Sequence, residues 1–335
     1  MKKETSAQDA AQLVCRLEWM GLRAFTREEN MRHFIAIVQG TDEKTSLNLF
    51  ANLPGVEKVV PFTTEYILAG REFKRERTCI RIKDQEIGGN KLAVIAGPCV
   101  IESEKLMYDI ASLVAKSGAT ILRGGAFKPR TSPYSFQGLG EEGLKFISAA
   151  AQKYNLLSIS EVMDTRDIEL VANYVDILQI GARNMQNFSL LKQAGKANVP
   201  VLLKRGMSAT YQDFLMAAEY ILKAGNPNVI LCERGFRTFE TYSRNTLDIA
   251  AVPILKELSH LPVIVDPSHG TGLRSMVPPM ARAAVAAGAH GIMVEVHPEP
   301  DRSLSDAKQT ISPETFAEML HSLKGIGKVV NMQVG

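Results

Sequence analysis

The chain has 335 residues, 45% hydrophobic and 22% charged, a globular balance with room for one large barrel and an accessory module. Its 39 basic and 36 acidic residues leave a net charge of +3, so no global field points to nucleic acid and any anion binding must come from local clusters. No apolar run approaches the ~20 residues that span a bilayer. The opening MKKETSAQDAAQ lacks the apolar segment of a secretory signal, and Cys15, Cys79, Cys99 and Cys232 show no CxxC pairing, as expected in a reducing cytoplasm.

Residues 1–70 read as a small α+β module of ferredoxin-like type. SAQDAAQLVCRLEWMG (6–21) has helical apolar spacing, RHFIAIVQG (32–40) is strand-like, EKTSLNLFANLP (43–54) helical, and VEKVVPF (56–62) a further strand. The module's first strand is missing, because MKKETS has no apolar alternation. Residues 71–90 are a charged linker and a hairpin, CIRIKDQEIGGN, with Gly88-Gly89-Asn90 as the expected turn.

From Leu92 one rhythm repeats to the end. The apolar runs LAVIAG, TILRGG, LLSISEV, ILQIGA, VPVLLKRG, NVILCERG, LPVIVDPSH and GIMVEVHP alternate with helix-like stretches such as EEGLKFISAAAQKY, Tyr211 to Ala224 before Gly225, and PPMARAAVAAG. Continuous apolarity suits strands covered on both faces, and parallel strands need such long crossovers. With no GxGxxG after the first run, residues 91–335 are expected to form a parallel (β/α)8 barrel rather than a doubly wound open sheet.

Barrel enzymes place their chemistry where strands end, and here nearly every run ends in a reactive residue: Cys99, Arg123, Glu161, Arg183, Lys204, Arg234, Asp266 with His269, and Glu295. Arg123, Lys128, Arg183, Lys204 and Arg234 would converge as cations that only a polyanionic ligand makes tolerable. The segment LRGGAFKPRTSPYSFQGLG (122–140) adds Arg130, Thr131 and Ser132, donors suited to phosphate or carboxylate, although a solvated loop can also carry three cations. Cys99, His269, Glu295 and Asp306 offer thiolate, imidazole and two carboxylates, a donor set for a divalent transition metal and not for calcium. A lone cysteine or histidine is equally at home in a core, and only the barrel brings these four together.

AGPC, LRGGAFKPRTSPYSFQGLG, IGARNMQN, LLKRG, CERG, VDPSH and VEVHPEPDRSLSD together resemble 3-deoxy-D-arabino-heptulosonate 7-phosphate (DAHP) synthase of the type I-beta branch, from about Leu92 to the end. The first module resembles the ferredoxin-like regulatory domain that some members carry. The resemblance implies condensation of phosphoenolpyruvate with erythrose 4-phosphate and water, the first step of the shikimate pathway. It implies that Arg123, Lys128, Arg183, Lys204 and Arg234 hold phosphoenolpyruvate, and that Arg130, Thr131 and Ser132 bind erythrose 4-phosphate. Cys99, His269, Glu295 and Asp306 would hold one divalent metal (Mn2+, Fe2+, Co2+ or Zn2+), with Lys128, Cys99 and His269 as catalytic residues. It further implies a cytoplasmic homotetramer with Phe or Tyr as feedback inhibitor at the first module.

The alternatives are 3-deoxy-D-manno-octulosonate 8-phosphate synthase, which takes arabinose 5-phosphate and carries KANRSS where this chain has KPRTS, a Schiff-base aldolase using Lys204, and a non-catalytic metabolite sensor. One departure from the family is GTGLR after VDPSH in place of SGGRR, which removes a basic residue.

Overall fold

The computed structural model describes residues 1–29, 31–39, 47–128, 132 and 134–334. The chain divides into two compact units, Met1–Arg75 and Glu76–Gly335. In the first unit α1 (Ala7–Trp19) starts from a capping box, Ser6 accepting from the Asp9 N–H and Asp9 from the Ser6 N–H. The antiparallel hairpin β1 (Arg23–Glu29) and β2 (Arg32–Gln39) follows, then α2 (Leu47–Ala51). Leu13 and Leu17 of α1 meet Leu22, Ala24 and Phe50 in a small core of its own.

The order α–β–β–α is the interior of a ferredoxin-like unit, and no strand forms over Met1–Ser6. Two expectations need correction. β1, sequence RAFTREE, is not anticipated, because among its described side chains Ala24 alone is buried, which leaves hardly any apolar alternation. VEKVVPF is not a strand: Val56 and Val59 pack on the core from irregular chain. Alternation reports which side chains are buried, not whether a partner strand is present. Residues 43–46 of the expected second helix lie outside the described residues.

The second unit opens with the hairpin β3 (Ile80–Ile82) and β4 (Gln85–Ile87). Its turn is Lys83-Asp84, Lys83 at φ 53, and not Gly88-Gly89-Asn90 as expected. Gly88, at φ 103, lets the backbone pass the Thr78 carbonyl, where a Cβ would collide.

The strands β5 (Ala93–Gly97), β6 (Ile121–Arg123), β7 (Leu157–Val162), β8 (Ile177–Ile180), β9 (Val201–Lys204), β10 (Val229–Glu233), β11 (Val263–Val265) and β12 (Gly291–Glu295) pair in parallel and in chain order. They close into a barrel, and each lies within one of the eight apolar runs. Between them run α3 (Glu104–Ser117), α4 (Glu141–Lys153), α5 (Ile168–Tyr174), α6 (Phe188–Ala194), α7 (Tyr211–Ala224), α8 (Ala251–Leu258), the short α9 (Pro267–Thr271) and α10 (Val277–Ala286), with α11 (Pro313–Val329) last. α7 spans the residues expected and stops at Gly225, φ 122. No helix among the described residues is long and apolar enough to cross a membrane.

Ile80, Ile82 and Ile87 of the hairpin share one buried cluster with Ile95, Ile121, Leu157 and Ile264 inside the barrel. An apolar plug thus fills the N-terminal end of the strands and leaves the C-terminal end for polar groups. Because Gly88 is pinned against Thr78, whose N–H donates to the His260 carbonyl at 2.8 Å, Gly88→Ala is expected to cost about 1–3 kcal/mol. A urea midpoint equal to that of the wild type would show that the plug is not anchored there.

Candidate active site

A cavity of about 370 Å³ at the C-terminal end of the strands is lined by Cys99, Arg123, Lys128, Glu161, Arg183, Lys204, Arg234, Arg244, His269 and Asp306, with Ser132 at its exposed rim. Arg123 and Lys204 are the last residues of β6 and β9, Arg234 follows β10, and Arg183 sits on the turn Ala182–Asn184 after β8. Arg130 and Thr131 lie outside the described residues.

The cations are not the unpaired crown that the sequence reading expects. Arg123 Nη1 donates to Glu295 Oε1 at 2.6 Å and Lys204 Nζ to Asp266 Oδ2 at 2.6 Å, with all four side chains buried. The reason is the cost of an isolated buried charge, which the fold offsets with carboxylates from other strands. Arg123 is raised above the ordinary guanidinium range: burial lowers it, but Glu295 and Cys99 outweigh that. Arg234 is lowered, chiefly by burial. Arg123 Nε and Arg234 Nη1 are buried N–H groups with no protein partner. Such groups cost about 1–3 kcal/mol each when left unsatisfied, and both side chains also line the cavity.

Against these cations lies the mixed donor set, with Arg123 Nη2 also donating to the Cys99 carbonyl and Arg234 Nη2 to the His269 carbonyl, each at 3.3 Å. Sγ of Cys99 and the carboxylates of Glu295 and Asp306 offer atoms all within 4.8 Å of one another. His269 Nε2 stands 3.3 Å from Glu295 Oε1 and 3.9 Å from Asp306 Oδ2. Its ring is fixed by Asp266 Oδ2, 2.7 Å from Nδ1, which turns Nε2 toward the cluster. A carboxylate behind a ligating histidine is the usual support of a metal site. Burial, with the Glu295 charge, pushes the Cys99 thiol up to about 12, so binding a cation there must expel a proton. For Glu295, burial is outweighed by His269, Arg123 and Lys128, which hold it at about 2. Lys128 Nζ sits 2.8 Å from Cys99 Sγ and 3.5 Å from Asp306 Oδ2. Three of the sequence-derived donors, Cys99, Glu295 and Asp306, therefore meet at one place, His269 borders them through Glu295 and Asp306, and their types suit a transition metal.

Three polar groups at the mouth escaped the sequence reading. Arg244, in the loop between β10 and α8, reaches the cavity and lies 3.4 Å from Asp306 Oδ1. Gln309, buried, donates to Glu295 Oε2 at 2.8 Å. Arg205, next to Lys204, joins Glu233 at 2.8 Å and Asp248 at 2.9 Å, tying both ends of the 234–248 loop to the end of β9. Only the KR dipeptide of LLKRG carried any signal; the others sit in loops without periodicity. Arg274 of GTGLR, by contrast, donates to Asp301 and to the Ala307 carbonyl, fixing the segment that bears Asp306.

Residues 76–331 match the DAHP synthetase I family. The chain belongs to that family. A phospho-2-dehydro-3-deoxyheptonate aldolase of Thermotoga maritima is 47% identical over 334 residues, covering 100% of this chain and 98% of the relative. A crystal structure of phospho-2-dehydro-3-deoxyheptonate aldolase (DAHP synthase) from Thermotoga maritima superposes with a TM-score of 0.81 at 46% identity, over 99% of this chain and 97% of that one. A 2-dehydro-3-deoxyphosphooctonate aldolase of Koribacter versatilis is 34% identical over 271 residues, 75% of this chain and 96% of the relative. The DAHP synthetase I match covers the barrel and its hairpin, the unit that carries the whole cavity.

His269 is lowered to about 4, because burial outweighs the pull of Asp266 and Glu295. The unfolded chain takes up a proton here below its ordinary value of 6.5, while the folded site refuses it until about 4. This contribution is therefore complete above that window and lost as pH falls through it. Chelator-treated protein should show a falling urea midpoint between these two values, and His269→Gln should flatten the fall; equal slopes would remove His269 as its source.

Proposed function

We propose that the chain joins phosphoenolpyruvate to erythrose 4-phosphate, with water, to give DAHP and inorganic phosphate, the entry reaction of the shikimate route to aromatic amino acids. The carrying observation is one cavity lined by Arg123, Lys128, Arg183, Lys204 and Arg234 together with Cys99, His269 and Asp306, with Glu295 beside them joining Arg123 to the Cys99–Asp306 cluster. The end-to-end likeness to the Thermotoga maritima heptonate aldolase supports the four-carbon sugar.

In this reading Arg123, Lys128, Arg183, Lys204 and Arg234 hold the phosphate and carboxylate of phosphoenolpyruvate. Arg130, Thr131 and Ser132 take the phosphate of erythrose 4-phosphate, so the cationic mouth offsets the repulsion of two anionic substrates. The four donors would hold one divalent transition ion, Mn2+, Fe2+, Co2+ or Zn2+, which would supply Lewis acidity for the condensation. Carbon 3 of phosphoenolpyruvate attacks the aldehyde carbon, water adds at carbon 2, and phosphate leaves by cleavage of its bond to carbon 2. The two protons of the water end on the new hydroxyl and on the released phosphate. Lys128 is a strong cation: Cys99, Glu295 and Asp306 outweigh the burial that lowers it and raise its pKa. It still gives a proton readily to an alkoxide, a far stronger base. Lys204, engaged by Asp266 at 2.6 Å, serves as an anion-binding ammonium and not as a Schiff-base amine.

The runner-up co-substrate is arabinose 5-phosphate, favoured by the octonate aldolases at 34% identity. Phosphate release by EDTA-stripped protein, resupplied with Mn2+, is expected with erythrose 4-phosphate and not with arabinose 5-phosphate. Release with the five-carbon sugar alone would give the chain to the runner-up, and release with neither would end the assignment. Lys128→Met should abolish turnover without loss of the folded baseline, and near-normal activity would end its role.

The Met1–Arg75 unit is proposed to bind Phe or Tyr as a feedback inhibitor of a homotetrameric enzyme. Deleting it should leave an active barrel insensitive to both amino acids; inhibition that persists after deletion would place the inhibitor elsewhere.

A further inference from the structure

The ring of contacts behind the donor set is closed by one amide. Gln309, 2% exposed, sits on the turn Ala307–Gln309 immediately after Asp306, which takes the left-handed conformation at φ 50. Its Nε2 donates to Glu295 Oε2 at 2.8 Å, and its Oε1 accepts from Arg244 Nη1 at 2.9 Å. The same Nη1 lies 3.4 Å from Asp306 Oδ1. The two partners fix which end of the amide is which, because reversing it would set oxygen against carboxylate and NH2 against guanidinium.

With Oε2 of Glu295 taken by Gln309, Oε1 is the oxygen left facing Arg123 at 2.6 Å and His269 Nε2 at 3.3 Å. The loop that supplies Arg244 is itself docked on α9, the helix bearing His269. The Arg244 N–H donates to the Thr271 carbonyl at 2.8 Å, and Asn245 Nδ2 donates to the His269 carbonyl at 2.9 Å. A Cβ on Gly272 would lie 2.4 Å from that of Arg244, so only glycine lets the loop seat this closely.

We infer that Gln309 and Arg244 are positioning residues that together aim the carboxylates of Glu295 and Asp306 at a shared divalent cation, Arg244 acting on Glu295 through the Gln309 amide. This rests on the metal-dependent reading above. A side chain that must donate to a carboxylate on one side and accept from a guanidinium on the other, at that reach, is an amide. Methionine keeps the length and apolar bulk but neither hydrogen bond. Glutamate would place a second carboxylate against Glu295. If the position only filled space, methionine would serve as well.

The test uses the full chain, stripped with EDTA and titrated with Mn2+ against a fluorescent chelator, alongside the thermal midpoint of each metal-free protein. Gln309→Met should weaken Mn2+ binding by about 10–100-fold, the range for groups that orient metal ligands, with the metal-free protein still unfolding cooperatively at a somewhat lower midpoint. Arg244→Met should weaken it less. The double variant should lose less than the two single losses combined, because Arg244 reaches Glu295 only through the Gln309 amide while its contact with Asp306 is its own.

Binding by Gln309→Met within about two-fold of wild type overturns the proposal, and so do additive losses in the double variant. Should Gln309→Met not fold, Arg244→Met decides, since its side chain is 38% exposed at the loop surface: weakened binding supports the positioning role and unchanged binding ends it. A wild-type chain that takes up no Mn2+ overturns both this inference and the metal reading beneath it.

Discussion

Charge burial at the open end of the barrel is the constraint from which the site follows. Each ion taken out of water loses several kcal/mol of hydration, and the strand ends carry Arg123, Lys204, Arg205 and Arg234 where water is scarce. The fold answers with carboxylates in fixed places. Arg123 of β6 pairs with Glu295 of β12, and Lys204 of β9 with Asp266 after β11. Each of these two pairs joins strands that are next-but-one neighbours around the ring. Barrel interiors are built from layers contributed by alternate strands, so the topmost layers here are ion pairs where lower ones are isoleucine and leucine. Such pairs roughly break even against apolar packing. They are better understood as a preset array of charge than as a source of stability.

Glu295 joins the cations to the donor cluster. One of its oxygens takes the Arg123 guanidinium and faces His269; the other takes Gln309. Asp266 plays the matching part on the far side, accepting from Lys204 and holding the His269 ring through a single oxygen. The cations that would grip an anion and the donors that would hold a metal are therefore positioned by the same two carboxylates. In a reaction between two anionic substrates this sharing has a direct use. The groups that neutralise phosphate and those that polarise an aldehyde are locked in one geometry, with little left to reorganise during the chemical step.

Much of this was legible in the sequence, for physical reasons. A strand buried on both faces must be continuously apolar, and so all eight barrel strands fell within runs that could be read directly. The position of Cys99, Arg123, Lys204, Arg234 and Glu295 followed from where those runs stop. What stayed hidden depends on three-dimensional pairing. RAFTREE has too little apolar alternation to announce β1, and the hairpin turn fell at Lys83-Asp84 while the glycines after it served close approach to Thr78. The sequence shows cations and carboxylates at the same strand ends, Glu161, Asp266 and Glu295 among them, but not which carboxylate each cation will meet. Arg244 and Gln309 belong to loops whose order comes from contacts with other loops, for which no periodicity exists.

The pairing also bears on how carbon–carbon bond formation is achieved on this barrel. A Schiff-base route needs a lysine free to act as an uncharged amine and able to move onto a carbonyl carbon. Lys204 meets neither need: its Nζ is 2.6 Å from a fully buried carboxylate that is itself engaged by His269. Taking that nitrogen away would leave Asp266 short of a partner in a site where an unpaired charge is costly. It would also loosen the ring of His269. The architecture thus favours direct attack by the electron-rich carbon of phosphoenolpyruvate, which needs no covalent handle. Its demands are that the phosphate and carboxylate be held and that charge on the aldehyde oxygen be met, and in the proposed reading the cations and the donor set joined through Glu295 and Asp266 would meet both.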